Sequence, residues 1–237
     1  MLSAAVVLAI VSPMTGSFLK CWADRSRAGL SVADGRSFCD NCGKTLAARD
    51  LIPVLSWSLA GGKSRCCGQK ISPTLLLAEL ASLAMAASVV MILPPHLWLG
   101  ALLVAWGTQA AALLSGSTNP ARYWTSAITL ALALILAATG GAQTVEFDAA
   151  VISTAGGIAV WIALRLMTPT YADAALLLPA SGGLLGLSYL FLAVAIALPI
   201  AAAHRWLRSA TGPDLATSGS IGLATATWCL WMAQSLS

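Results

Sequence analysis

Long apolar runs, separated by short polar or proline- and glycine-bearing breaks, account for most of this chain. The runs fall at 2–19, 73–93, 97–115, 123–139, 149–167, 174–186, 188–203 and 219–236. They are continuous, not alternating with a period of two, so they predict membrane helices and not the roughly ten-residue alternating strands of a barrel. A helix needs about 20 residues to cross the hydrocarbon core, so the shortest runs must tilt, extend into the interface or re-enter. The breaks are legible: Pro94-Pro95, Ser115–Pro120, Gly140-Gly141, and Gly182-Gly183 near the end of the sixth run. The pattern predicts an all-α polytopic membrane protein of about eight helices. One long polar stretch, 20–72, lies between the first helix and the second. The chain therefore divides into a first transmembrane helix (1–19), a cysteine-bearing module (20–72) and a membrane domain of about seven helices (73–237).

Composition agrees. The chain has 237 residues, of which 58% are apolar and 9% charged, with a mean hydropathy of +0.83; soluble domains carry about 25% charged residues. Nine Trp and three Tyr suit anchoring at the two interfaces. No basic segment precedes the first run and no small-residue cleavage signature follows it, so it reads as a retained helix.

Charge sets the orientation. Lys20, Arg25, Arg27, Arg36, Lys44, Arg49, Lys63, Arg65 and Lys70 all lie in 20–72. With eight spans, the remaining Arg122, Arg165, Arg205 and Arg208 fall in loops on that same side, whereas the opposite loops hold His96, Glu146 and Asp148. The positive-inside rule then places 20–72 in the cytosol and both termini outside. The net charge of +4 is bound up with this topology and gives no reason to expect nucleic acid.

The cytosolic stretch carries the candidate chemistry. Cys39-Asp40-Asn41-Cys42-Gly43 has the spacing that lets two thiolates meet one tetrahedral ion, with a glycine to turn the chain beneath it. Cys66-Cys67-Gly68 follows 24 residues later. In a reducing compartment such a cluster binds metal more often than it forms disulfides. Zinc held by Cys39, Cys42, Cys66 and Cys67 would supply a core to about fifty residues with few apolar groups. Ser64 stands where a second Cys-x-x-Cys would place its first thiol, so a three-thiol, weakened or empty site with Cys66 spare is the alternative. Cys21 and Cys229 read as small apolar fillers.

These residues, with their neighbours, resemble the bacterial prepilin leader peptidases, membrane aspartyl proteases that are also N-methyltransferases. The resemblance is carried by Gly16-Ser17-Phe18-Leu19, Arg36-Ser37-Phe38-Cys39-Asp40-Asn41-Cys42-Gly43, Leu51-Ile52-Pro53-Val54-Leu55-Ser56-Trp57, Cys67-Gly68, Ile71-Ser72 and Glu79-Leu80. It implies an inner-membrane protein of a type IV pilus or type II secretion system. Such a protein removes the leader of prepilins or pseudopilins at the cytosolic face and methylates the new N-terminus with S-adenosylmethionine. It also implies two catalytic aspartates. The second corresponds to Asp173, in Thr170-Tyr171-Ala172-Asp173-Ala174-Ala175, where the family's flanking glycines and lysine are absent. The first falls near Leu114 or Ser115, in a stretch without a carboxylate.

An aspartyl protease needs two carboxyl groups sharing one proton, one to activate water and one to hydrogen-bond the scissile carbonyl. The missing partner therefore opens an alternative: a homologue that binds prepilins or assembly partners without cutting them, or that only methylates. Glu79 is the other acid within a helix, and reads either as a functional acid or as a packed acid orienting the module. Asp173 reads either as a catalytic acid or as a helix N-cap. His96 and His204 read as interfacial.

Overall fold

In the computed structural model, the described residues are 2–33, 35–115, 117, 119–139, 147–167, 177–181 and 215–234, with single positions 185, 193, 194, 196, 197 and 199. The chain forms two compact units, residues 1–87 and 88–237. Helices dominate, and no β-strand occurs among the described residues beyond two isolated antiparallel bridges, Phe38–Thr45 and Lys63–Lys70.

The first unit begins with α1 (Leu2–Arg27). This helix outlasts its apolar run by two turns. The expectation that the element ends at residue 19 took the end of apolarity for the end of the helix. Lys20 and Arg27 both pair with Asp24 at helical spacing, which supports the polar extension. A short helix, α2 (Leu55–Leu59), follows the 3₁₀ turn Ala48–Asp50. Next comes α3 (Pro73–Ile92), close to the expected 73–93.

Within the first unit, α1 and α3 touch at Gly16. A Cβ there would lie 2.5 Å from the Ala78 carbonyl oxygen and 2.9 Å from Ser82 Cβ, so only glycine permits the approach. Ser12 and Ser82 are fully buried in the same two helices.

The second unit contains α4 (Trp98–Leu114), α5 (Ala121–Ala138), α6 (Phe147–Met167) and α7 (Leu215–Gln234). α4 is its centre, packing against α5 and α7, while α5 also meets α6. Small residues make α4 easy to surround: Ala101, Ala105 and Ala111 are fully buried, and Gly107 faces Thr129 of α5. Ser181 and Thr227 share a hydrogen bond of 2.9 Å that joins 177–181 to α7. Among the described residues, four helices are long and apolar enough to cross a membrane: Ala5–Arg27, Pro73–Ile92, Pro95–Leu114 and Ala121–Ala138. The expected helices at 174–186 and 188–203 fall largely outside the described residues.

Candidate metal centre

The module between α1 and α3 is built from two copies of one turn. In the first, the Cys39 amide donates to the Lys44 carbonyl (2.9 Å) and the Gly43 amide to the Cys39 carbonyl (2.8 Å). In the second, the Ser64 amide donates to the Gln69 carbonyl (2.7 Å) and the Gly68 amide to the Ser64 carbonyl (2.8 Å). The flanking bridges Phe38–Thr45 and Lys63–Lys70 obey the same offset of 25 residues. Gly43 and Gly68 close the turns at φ of 69° and 71°, a left-handed conformation that favours glycine.

Superposing one turn on the other by this offset pairs Cys39 with Ser64, Asn41 with Cys66, and Cys42 with Cys67. The second turn therefore carries a hydroxyl where the first has its leading thiol, and a thiol where the first has an amide. Both changes face inward. Cys66 Sγ lies 3.3 Å from Cys42 Sγ, while Asn41 Nδ2 donates to Cys67 Sγ at 3.6 Å, the matching cross-contact. Ser64 Oγ is 3.4 Å from Cys39 Sγ and 2.8 Å from Cys66 Sγ.

The four sulfurs of Cys39, Cys42, Cys66 and Cys67 all lie within 4.8 Å of one another. A tetrahedral zinc with Zn–S bonds of about 2.3 Å sets its sulfurs about 3.8 Å apart. The Cys39–Cys67 and Cys42–Cys66 separations, 3.7 and 3.3 Å, fit a single small ion after slight expansion. All four predicted ligands thus come together, the vicinal pair included, and the geometry fits a tetrathiolate metal site. Sequence spacing alone could not place Cys66, because its position only makes sense once the two turns are superposed.

The thiols are unequal. The Ser64 hydroxyl first, then the Cys42 and Asn41 amides, lower the Cys39 thiol from 9.0 to about 6. The Lys44 amide lowers Cys42, but the Cys66 thiol, loss of water and the other two thiols outweigh it and raise Cys42 to about 11. The Gln69 amide and then the Asn41 side chain lower Cys67.

The module is tied to its surroundings at three places. Arg25, buried at the end of α1, donates to the carbonyls of Ser31, Val32 and Arg36 and lies 5.4 Å from the Phe38 ring centroid. Arg65 pairs with Asp50 at 2.8 Å, joining the second turn to the 3₁₀ turn. Glu79, 3% exposed, accepts the Val54 amide at 2.7 Å. Val54 has φ of 62°, a conformation that is a true outlier for a β-branched residue, and the buried carboxylate holds it there.

The other predicted site residues are not brought to this centre. Asp173 lies outside the described residues. The stretch expected to bear the first aspartate is the buried C-terminal end of α4. Leu114 and Ser115 are fully buried. The hydroxyls of Ser115 and Ser117 turn back to donate to the Ala112 and Leu114 carbonyls, at 2.9 and 2.7 Å. Asn119 Oδ1 then accepts the Ala121 amide (2.9 Å) and Arg122 donates to the Ser117 carbonyl (2.9 Å), so these hydrogen bonds among the described residues help to hold the corner.

Helices of membrane-spanning length, with a tetrathiol cluster between the first two of them that could hold a metal ion, define an all-α polytopic membrane protein. Residues 10–93 match the Bacterial Peptidase A24 N-terminal domain. Through this segment the chain resembles the prepilin leader peptidases. It is 46% identical over 54 residues to a prepilin leader peptidase/N-methyltransferase of Klebsiella pneumoniae, covering 23% of this chain and 24% of that protein. It is 37% identical over 106 residues to one of Burkholderia pseudomallei, covering 45% and 33%. A Bacillus subtilis relative of the same name is 35% identical over 82 residues, covering 35% and 33%. The matches thus span about a quarter to a third of these relatives' length. No solved structure matches the chain significantly.

Proposed function

We propose that this protein handles prepilins or type II secretion pseudopilins at the cytosolic face of the bacterial inner membrane, with leader cleavage and N-methylation as its activities. The tetrathiol module on the segment shared with the prepilin leader peptidase/N-methyltransferases is the observation that carries this reading. In it, 1–19 is the first span, 20–72 the cytosolic module and 73–237 a membrane domain of about seven helices, with both termini periplasmic. The module holds one structural zinc on Cys39, Cys42, Cys66 and Cys67. S-adenosylmethionine serves as methyl donor, and Asp173 is the retained acid of the aspartyl pair. Glu79 acts by positioning: its hydrogen bond to the Val54 amide ties the module to α3.

A second reading is favoured by one specific feature. The resemblance puts the first aspartate near Leu114 or Ser115, at the fully buried end of α4, where the sequence has no carboxylate. A single acid cannot both activate water and protonate the carbonyl, and general acid–base catalysis is worth about 10²–10⁴-fold. On this reading the chain binds prepilin without cutting it, or methylates pilin already cut.

The test is co-expression of the full chain with a prepilin in a host lacking its own leader peptidase, with mass spectrometry of the pilin N-terminus. Cleavage abolished by Asp173→Ala supports the first reading. Uncleaved prepilin that co-purifies with the chain, or methylation of precut pilin alone, supports the second. Neither cleavage, methylation nor co-purification overturns both.

A further inference from the structure

The module exposes an apolar surface that neither reading uses. Leu51, Ile52, Leu55 and Leu59 are 46, 48, 57 and 77% exposed, and all lie outside the membrane-length helices. Leu55 and Leu59 are four apart and share one face of α2. The same module carries exposed basic side chains at Lys44, Arg49, Lys63 and Lys70.

Glu79 limits the distance of the segment from the membrane. Its carboxylate accepts the Val54 amide, immediately before α2. Glu79 lies six residues into α3, roughly 9 Å from the helix start at 1.5 Å per residue. α3 has 20 residues, about the length that spans the hydrocarbon core. With α3 crossing the bilayer, the hydrogen bond draws the Val54 amide to within roughly 9 Å of the bilayer border, so Leu51–Leu59 lie close to the membrane surface.

We propose that Leu51–Leu59 is an in-plane membrane element, seated in the headgroup layer of an anionic bilayer. Leu51, Ile52, Leu55 and Leu59 enter the acyl boundary, and the basic side chains meet lipid phosphates. Covalent attachment to α1 and α3 supplies the proximity that so short an amphipathic helix lacks when free. A lipid surface is the occupant favoured over a protein because the buried Glu79–Val54 bond keeps the patch close to the membrane surface. This inference rests on the membrane character of α1 and α3 and is independent of prepilin processing.

The test uses the full chain, one copy per nanodisc, with a coumarin amino acid replacing Leu59, Leu77 or Asp40 in separate preparations. Metal content is measured in each as a check on folding. In discs containing anionic lipid brominated in the acyl chain, position 59 should lose roughly half its emission, as position 77 in α3 does, while position 40 stays unquenched. Quenching at 59 should weaken when the anionic lipid is replaced by zwitterionic lipid, and again when Lys63→Gln and Lys70→Gln are combined. Full access of aqueous iodide to position 59, with no bromine quenching, would overturn the proposal. So would protection from both quenchers, or protection that appears only with two copies per disc, since either assigns the patch to protein.

Discussion

The two turns of the cysteine module have the same backbone and different donors. Around Cys39 the order is thiol, amide, thiol; around Ser64 it is hydroxyl, thiol, thiol. Both close on a glycine near φ of 70° and both make the same pair of main-chain hydrogen bonds. The fold of each turn is therefore set by its amides and its glycine. The address of the thiol within the turn is free to move by two residues, provided the sulfur still reaches the centre, as Cys66 does at 3.3 Å from Cys42.

The comparison breaks most visibly if the metal is removed. A Cys39→Ser/Cys42→Ser variant should fall from about one zinc per chain to none, with loss of module structure, because structural zinc supplies roughly 10–16 kcal/mol of apparent folding free energy at neutral pH in small fingers. Metal analysis with protease resistance of residues 28–72 reads this. A metal-free variant with unchanged protease resistance would remove zinc from the account.

The next largest effect separates the two donors of the second turn. Cys66→Ser should lose most of the zinc affinity, whereas Ser64→Ala should keep one equivalent and weaken binding by about 10–100-fold, the range for partners that orient ligands. The opposite order would make Ser64 the ligand and Cys66 the spare. Moving the thiol back, in Ser64→Cys/Cys66→Asn, should restore full stoichiometry.

Gly43→Ala and Gly68→Ala should then each cost about 1–2 kcal/mol, the cost of left-handed backbone for a residue with a Cβ. Near-equal losses in a zinc-competition titration support two equivalent turns. A loss at only one would show that the likeness stops at the drawing.

The smallest effect is in pH and concerns the metal-free protein. Cys39, lowered to about 6, contributes stability that is present above its ordinary value of 9.0 and is lost as pH falls through about 6. Cys42, raised to about 11, contributes the reverse: its share is present below 9.0 and is lost as pH rises through about 11. Alkylation followed by peptide mass mapping should find Cys67, exposed and lowered, modified ahead of Cys42, exposed and raised, at neutral pH. Equal rates would show the environments to be alike.

Much of this was legible in the residues. The helices at 73–92, 98–114, 121–138 and 147–167 follow apolar runs whose ends are marked by proline or by hydroxyl residues. The tetrathiol composition, too, could be read from four cysteines and two glycines. Three features were not accessible. The helical continuation to Arg27 depends on Lys20–Asp24–Arg27 pairing, which apolarity does not report. The place of Cys66 depends on a repeat of backbone turns that vicinal spacing obscures. The partner of Glu79 is the main chain of Val54 in a conformation that no valine predicts.

Gly16 has a consequence beyond close packing. By letting α1 and α3 touch, it holds together the two ends of the loop formed by residues 28–72. Closing a free loop of this size costs on the order of 4 kcal/mol in chain entropy, a cost that a small secreted domain commonly meets with a crosslink. Here a glycine-lined contact between two membrane helices takes the place of the disulfide. Widening that contact by a single methyl group should loosen the cysteine module at the far end of the loop.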